Sequence, residues 1–138
     1  MKRWIVYQRE RFPLAAYGLM AAAFAASGVC FSSLVLGRVA LPSAGALLVA
    51  FVTSLLFFLQ LRIADEFKDA EHDARYRPHR PVQRGLVSLR ELAAVGIGAA
   101  VVQLALAIAL EPGLVWLLGI AWVYFALMTR EFFVPRWL

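Results

Sequence analysis

The sequence predicts an all-α, polytopic transmembrane helical bundle of about four helices, with both termini on the cytoplasmic side. Three observations carry this. The chain of 138 residues is 62% hydrophobic with a mean hydropathy of +0.73, whereas a soluble domain is about half apolar. Only 17% of the residues are charged, against about a quarter in soluble domains. Four apolar stretches are each near or above the ~20 residues that cross a bilayer.

The first stretch covers about 12–36. A basic head precedes it, as in a secretory signal, but the apolar run exceeds the ~7–15 residues of a signal core, so it reads as a retained span. Gly37 and Pro42 then break the pattern. The second covers about 44–64 and continues as helix for roughly two turns into an acidic stretch. The third covers about 89–110, introduced by Ser88 with Glu91 three residues on, the pattern of a capping box. Glu111, Pro112 and Gly113 form a tight turn, and the fourth covers about 114–133. The sequence reads as one membrane domain, 1–138, with a long charged loop at 65–88.

Charge placement orients the bundle. Lys2, Arg3, Arg9 and Arg11 precede the first span; Lys68, Arg75, Arg77, Arg80 and Arg84 follow the second; Arg130 and Arg136 close the fourth. The remaining connections hold Arg38 alone. Basic residues collect on the cytoplasmic side of a bacterial-type inner membrane, so both ends and the long loop face the cytoplasm. The net charge of +5 therefore reflects topology, and no aromatic-studded basic face points to nucleic acid. Trp4, Tyr7, Trp116 and Trp137 fall near the expected interfaces. Gly18, Ala22 and Ala26, and Gly96 with Ala100, offer small faces for helix contact. Cys30 has no partner for a disulfide within the chain and reads as a buried, inert thiol.

Residues 61–88 hold five acidic and six basic side chains, close to half of the chain's charge. Asp65, Asp69 and Asp73 recur every four residues, so on a helix they share one drifting stripe, with Glu66 and His72 beside it. Like charges at that spacing repel. A hard divalent cation such as Mg2+, which takes carboxylate oxygens together with phosphates, would relieve this. The competing reading is a solvated helix laced with ion pairs, Arg62–Glu66, Glu71–Arg75 and Asp73–Arg77. Arg62 is expected to snorkel towards the interface, and Gln60, polar near the inner end of the second span, is a candidate to face the bundle interior. Pro78 and Pro81 end the helix. Arg77, Arg80 and Arg84 are then left on an irregular loop, where guanidinium groups suit phosphate oxygens; Gly85 permits a tight turn. Acids for a metal beside arginines for a phosphate point to a metal–diphosphate site for a lipid-linked substrate. His72 and His79 are too few for a zinc site, and Glu111 reads as a solvated turn residue.

Asp65-Glu66-x-x-Asp69-x-x-x-Asp73, followed by Arg80-Pro81 and Gly85, resembles the first aspartate-rich motif of the UbiA superfamily of intramembrane prenyltransferases. That motif reads N-D-x-x-D-x-x-x-D with a trailing R-P and glycine, also at the cytoplasmic end of the second helix. The resemblance implies a Mg2+-dependent transfer of an isoprenyl group from a prenyl diphosphate to an aromatic or other lipid-pathway acceptor. Glu66, Asp69 and Asp73 would be the metal-side carboxylates, with Asp65 in place of the family's asparagine. Arg80 would hold the diphosphate. The family fold has about nine helices and a second acidic motif, so the resemblance covers its first half; a partial chain, or a homo-oligomer, is expected on that basis. The acidic pattern of the CDP-alcohol phosphotransferases does not fit, because no glycine follows Asp69. Two other functions compete: a non-catalytic membrane protein binding a phosphorylated lipid, and a structural membrane subunit.

Overall fold

A computed structural model describes residues 2–37 and 41–129. Arg38, Arg130, Arg136 and Trp137, and the end of the expected fourth span, lie outside the described residues. The described chain forms six helices: α1 (Lys2–Arg11), α2 (Leu14–Val35), α3 (Ala44–Lys68), α4 (Ala70–Tyr76), α5 (Leu89–Leu110) and α6 (Leu114–Thr129). No strand occurs among the described residues. α2, α3 and α5 are long and apolar enough to cross a membrane. α6 is a shorter apolar helix over its described residues.

Each boundary has a local cause. Pro13 precedes α2 with φ −60°. A proline lacks the N–H that would continue α1 and biases Phe12 away from helix, so the chain breaks between α1 and α2. Gln8 donates its side-chain amide to the Phe12 carbonyl at 3.3 Å, satisfying an end of α1. Gly37 adopts φ +64° after α2, a left-handed closure that glycine takes without penalty. The Ser43 hydroxyl accepts the Ala46 N–H at 3.1 Å and starts α3. α3 and α4 are almost one helix: Asp69 N–H donates to the Asp65 carbonyl at 2.9 Å and Asp73 N–H to that of Asp69 at 2.8 Å. α4 stops at Tyr76, ahead of Pro78. Gly85, at φ +75°, turns the loop back. The Ser88–Glu91 capping box forms as expected, with the Ser88 N–H on Glu91 Oε2 at 2.9 Å and the Glu91 N–H on Ser88 Oγ at 3.2 Å. At the α5–α6 turn, Leu114 N–H donates to the Glu111 carbonyl at 3.0 Å.

α3 is the central helix, packed along α2 on one side and α5 on the other, with α6 against both α5 and α3. Close contact on α2 comes from Ala21 and Ala25, which are buried, one position before the Ala22 and Ala26 expected from spacing. Gly96 does meet α3: a methyl group there would lie 3.8 Å from Ile63. Most of the helical surface is unpartnered by protein. The spanning windows of α2, α3 and α5 are 11%, 6% and 22% buried, and Leu19, Phe24, Phe31, Leu34 and Trp116 point outward. An outward surface this apolar is compatible with a membrane protein. Cys30 belongs to that outward surface and is not buried.

The tightest packing is at one end of the bundle. Tyr7, Ile63, Val87 and Leu92 form a buried cluster, with Trp4, Leu59, Val82, Leu86, Leu89 and Val95 around it. Tyr7, expected near an interface, is thus a core residue. The cluster brings α1, the end of α3, the 77–88 loop and the start of α5 together, which places the charged segment.

Candidate functional site

Burial sorts the acidic residues differently from the four-residue stripe. The buried face of α3 runs through Gln60, Ile63 and Glu66 at three-residue spacing, and Asp73 continues it on α4. Glu66 and Asp73 are each 1% exposed. Asp69 lies between them and is partly exposed; Asp65 faces outward. The inward set is therefore Glu66, Asp69 and Asp73, and Asp65 lies beside it.

Arginines surround both buried carboxylates. Arg11 Nε, from α1, donates to Glu66 Oε1, and Arg62 approaches the same oxygen at 3.6 Å. Arg80 donates to Asp73 Oδ2, while Arg77 lies 3.8 Å from Asp73 Oδ1. Asp65 has Arg62 at 3.5 Å. The Arg62 side chain lies between Asp65 and Glu66, is 20% exposed, and has its Nε buried without a hydrogen-bond partner. Of the three i,i+4 pairs expected, Arg62–Glu66 and Asp73–Arg77 form. Glu71 and Arg75 are not an ion pair, and Asp69 has no basic side chain at ion-pair distance among the described residues.

α1, which sequence periodicity did not reveal, contributes three more links. Arg3 meets Glu91 at 2.6 Å, Glu10 meets Arg84 at 2.9 Å, and Tyr7 enters the core. The Tyr7 phenol is pushed up to about 12, first by burial and then by the nearby Glu66 charge. Arg84 also donates to the His79 carbonyl at 3.2 Å. His72 is exposed and lies against the Tyr76 ring at 4.7 Å, away from the carboxylates' buried face.

Two carboxylate oxygens are left over. Glu66 Oε2 and Asp73 Oδ1 are buried and accept no hydrogen bond. A buried acceptor without a donor or cation is costly, and carboxylate oxygens of this kind fit a hard cation. Among the described residues, no three His, Cys, Asp or Glu side chains are close enough together to hold a metal ion.

The rest of the bundle is apolar. A cleft of about 650 Å3 opens among α2, α3, α5 and α6, from Leu36 and Leu41 to Phe57 and Ala121. A second, of about 260 Å3, shares Phe57 and Ala121 and extends to Leu61 and Met128, towards the charged end. Two glutamines interrupt the apolar interior. Gln60, which does face inward, donates to the Gly96 carbonyl at 3.2 Å. Gln103 donates to the Thr53 carbonyl and accepts from Trp122 Nε1, both at 3.2 Å, tying α3, α5 and α6 together. No protein-family model, curated protein or solved structure matches the chain.

Proposed function

We propose that this is an intramembrane prenyltransferase-type protein, with a Mg2+-dependent site for a prenyl diphosphate at the charged end of the bundle. The observation that carries the reading is the pair of buried carboxylate oxygens without a hydrogen-bond partner, Glu66 Oε2 and Asp73 Oδ1, among arginines at one end of a bundle whose smaller apolar cleft extends to Leu61 and Met128. A prenyl diphosphate has the matching polarity: a dense anionic head and an apolar tail. Glu66, Asp69 and Asp73 would hold the cation, with Asp65 beside them, and Arg80, Arg77 and Arg84 would take phosphate oxygens. In this reading the basic residues of α1 and the loop keep this end at the cytoplasmic face of a bacterial-type inner membrane.

Without ligand, the carboxylates and arginines neutralise one another. Ligand binding exchanges partners: guanidinium groups turn from carboxylate to phosphate, leaving carboxylate oxygens for the cation. A Mg2+ ion held by Glu66, Asp69 and Asp73 would supply neutralisation of the negative charge that grows on the departing diphosphate. The arginines supply the same from the protein side, preset in a poorly hydrated environment. The allylic C–O bond breaks and its electron pair leaves with diphosphate. The acceptor's electron pair forms the new bond to carbon, and the acceptor gives up a proton. The apolar helix walls hold the tail and keep water from the cation.

One observation favours a second reading. Glu66 and Asp73 are already ion-paired, and among the described residues they do not converge with Asp69 on one point. A non-catalytic protein that binds a phosphorylated lipid through its arginines would need no metal. Asp69→Asn separates the two, because Asp69 has no arginine at ion-pair distance among the described residues. Under the prenyltransferase reading, Asp69→Asn weakens Mg2+-dependent binding of a prenyl diphosphate at least about tenfold, while binding in EDTA is unchanged. Equal binding by both proteins, with or without Mg2+, supports the second reading.

A further inference from the structure

One face of α5 turns away from the bundle and ends in a cation. Leu92, Ala99, Gln103 and Ala107 are the buried face. The opposite stripe, Arg90, Ala94, Ile97, Val101, Ala105 and Ile108, is exposed along its length, at the three- and four-residue spacing of a single helical side. Ile97 and Val101 are 67% and 62% exposed, a face that apolar chains cover better than water. Arg90 closes this stripe at the charged end of the bundle. It is exposed and has no carboxylate at ion-pair distance among the described residues. Its neighbour Glu91 is taken by Arg3 at 2.6 Å and by Ser88. That contact brings the start of α1 against the first turn of α5, so exposed Lys2, likewise without a carboxylate at ion-pair distance among the described residues, adds its charge on the same side. Arg3 and Glu91 offset one another, which leaves Lys2 and Arg90 uncompensated. Trp4, two residues on from Lys2, has the Arg3 guanidinium 5.9 Å from its ring centre; indole rings suit headgroup depth. We infer that Arg90, with Lys2 beside it, binds the phosphate of an anionic phospholipid whose chains lie along Ala94, Ile97 and Val101.

Charge complementarity selects this occupant over the others. A free phosphate would use the cations and leave the stripe bare. An uncharged lipid would cover the stripe and leave the cations. A second copy meeting this face by its own α5 about a twofold axis would set like charges together. An anionic phospholipid uses both parts, with the long arginine stem lying on the apolar face and its head at the phosphate. The outward end of α3 differs, because exposed Asp65 there repels an anion. The inference rests on the membrane reading of the apolar helices and is independent of the prenyl diphosphate site. A cation close to an anionic bilayer surface contributes about fivefold in affinity, and at physiological ionic strength the effect is screened over about 8 Å. Arg75 is the contrasting case. It too is exposed, but α4 prolongs α3 almost unbroken, so by helical rise Arg75 stands about 10 Å beyond Lys68 along the axis.

The test is native mass spectrometry of the full chain in detergent, titrated with phosphatidylglycerol or with phosphatidylcholine of the same acyl chains, reading the apparent Kd of the first bound lipid. Wild type is expected to hold phosphatidylglycerol at least about fivefold more tightly than phosphatidylcholine. Arg90→Gln should weaken phosphatidylglycerol binding about fivefold, and Lys2→Gln/Arg90→Gln should bring it to the level of phosphatidylcholine, whose own binding stays within about twofold of wild type because its headgroup carries no net charge. Both positions are exposed, so the packed cluster around Tyr7 and Leu92 is untouched by these changes. Arg75→Gln removes the same charge beyond the screening distance and should change neither lipid's binding by more than about twofold. Inorganic phosphate in excess should not displace phosphatidylglycerol. Equal wild-type affinity for the two lipids overturns the inference, as does a double variant that keeps the preference. A loss in Arg75→Gln as large as in Arg90→Gln overturns it as well, since the charge would then act from anywhere on the surface. Displacement of phosphatidylglycerol by inorganic phosphate overturns the lipid and leaves the cations to a free anion.

Discussion

Replacing Arg11 tests whether α1 belongs to the buried charge cluster. Glu66 has a fully covered side chain, and Arg11 is its hydrogen-bonded partner. Removing one member of a buried ion pair costs about 3–5 kcal/mol, because the other charge is left without compensation. Arg62 stays within 3.6 Å of the same oxygen and keeps part of that compensation. Arg11→Met, which preserves the apolar stem, should therefore cost about 2–3 kcal/mol. Glu66→Met removes the charge that both arginines share and should cost a similar amount. The double variant Arg11→Met/Glu66→Met removes the pair as a unit, and such replacements are often near neutral. It should lie within about 1 kcal/mol of wild type, giving a coupling of at least about 3 kcal/mol. The assay is reversible unfolding in mixed micelles by increasing sodium dodecyl sulfate, followed by far-ultraviolet circular dichroism. Single variants that each cost under about 0.5 kcal/mol, with additive effects in the double, would show that Arg11 and Glu66 do not form a buried pair.

Three further outcomes are expected. The Tyr7 phenol is raised from 10.0 to about 12 by burial and by Glu66. A group raised in the folded state gives stability that is complete below the unfolded value and is lost as pH climbs through the folded one. Stability should therefore fall from pH 10 to about 12, and in Tyr7→Phe this part of the fall should vanish in unfolding midpoints measured across that range. Gln103→Leu loses the bonds to Thr53 and Trp122; interhelical bonds in membranes average about 0.6 kcal/mol each, so a loss near 1 kcal/mol is expected in the same micelle titration. Ser88→Ala removes the capping box of α5 and should cost about 1 kcal/mol, with faster amide hydrogen exchange confined to the first turn of α5.

The spans were legible because apolar length and breaker residues are local signals. The expected 44–64 and 89–110 became Ala44–Lys68 and Leu89–Leu110, and the extension of the second span into the acidic stretch is α3 running on to α4. The first helix was expected from 12 but begins at Leu14, since Pro13 starts a helix more readily than it sits inside one. α1 was missed: in KRWIVYQRER the basic residues carry a topological meaning that hides a helix, and only Trp4 and Tyr7 at three-residue spacing hint at a buried face. Within the site, the sequence showed which residue types were present but not which way they pointed. Spacing by four favoured Asp65–Asp69–Asp73, whereas the face set by packing at Gln60 and Ile63 carries Glu66 inward and leaves Asp65 outside. No local pattern links Arg11 to Glu66 or Glu10 to Arg84. Those pairs exist because Tyr7 docks α1 on the core, a long-range event that single-sequence periodicity does not encode.

The most direct measurement of the central claim is equilibrium binding of farnesyl diphosphate to the bilayer-reconstituted protein, in Mg2+ and in EDTA, with farnesol and inorganic diphosphate as comparisons. A prenyl diphosphate site predicts tight binding only in Mg2+, weaker binding of inorganic diphosphate, and no saturable binding of farnesol. Farnesyl diphosphate binding that is absent, or the same in Mg2+ and EDTA, would contradict a metal–diphosphate site and leave the buried carboxylates and arginines as structural ion pairs or a metal-free anion site.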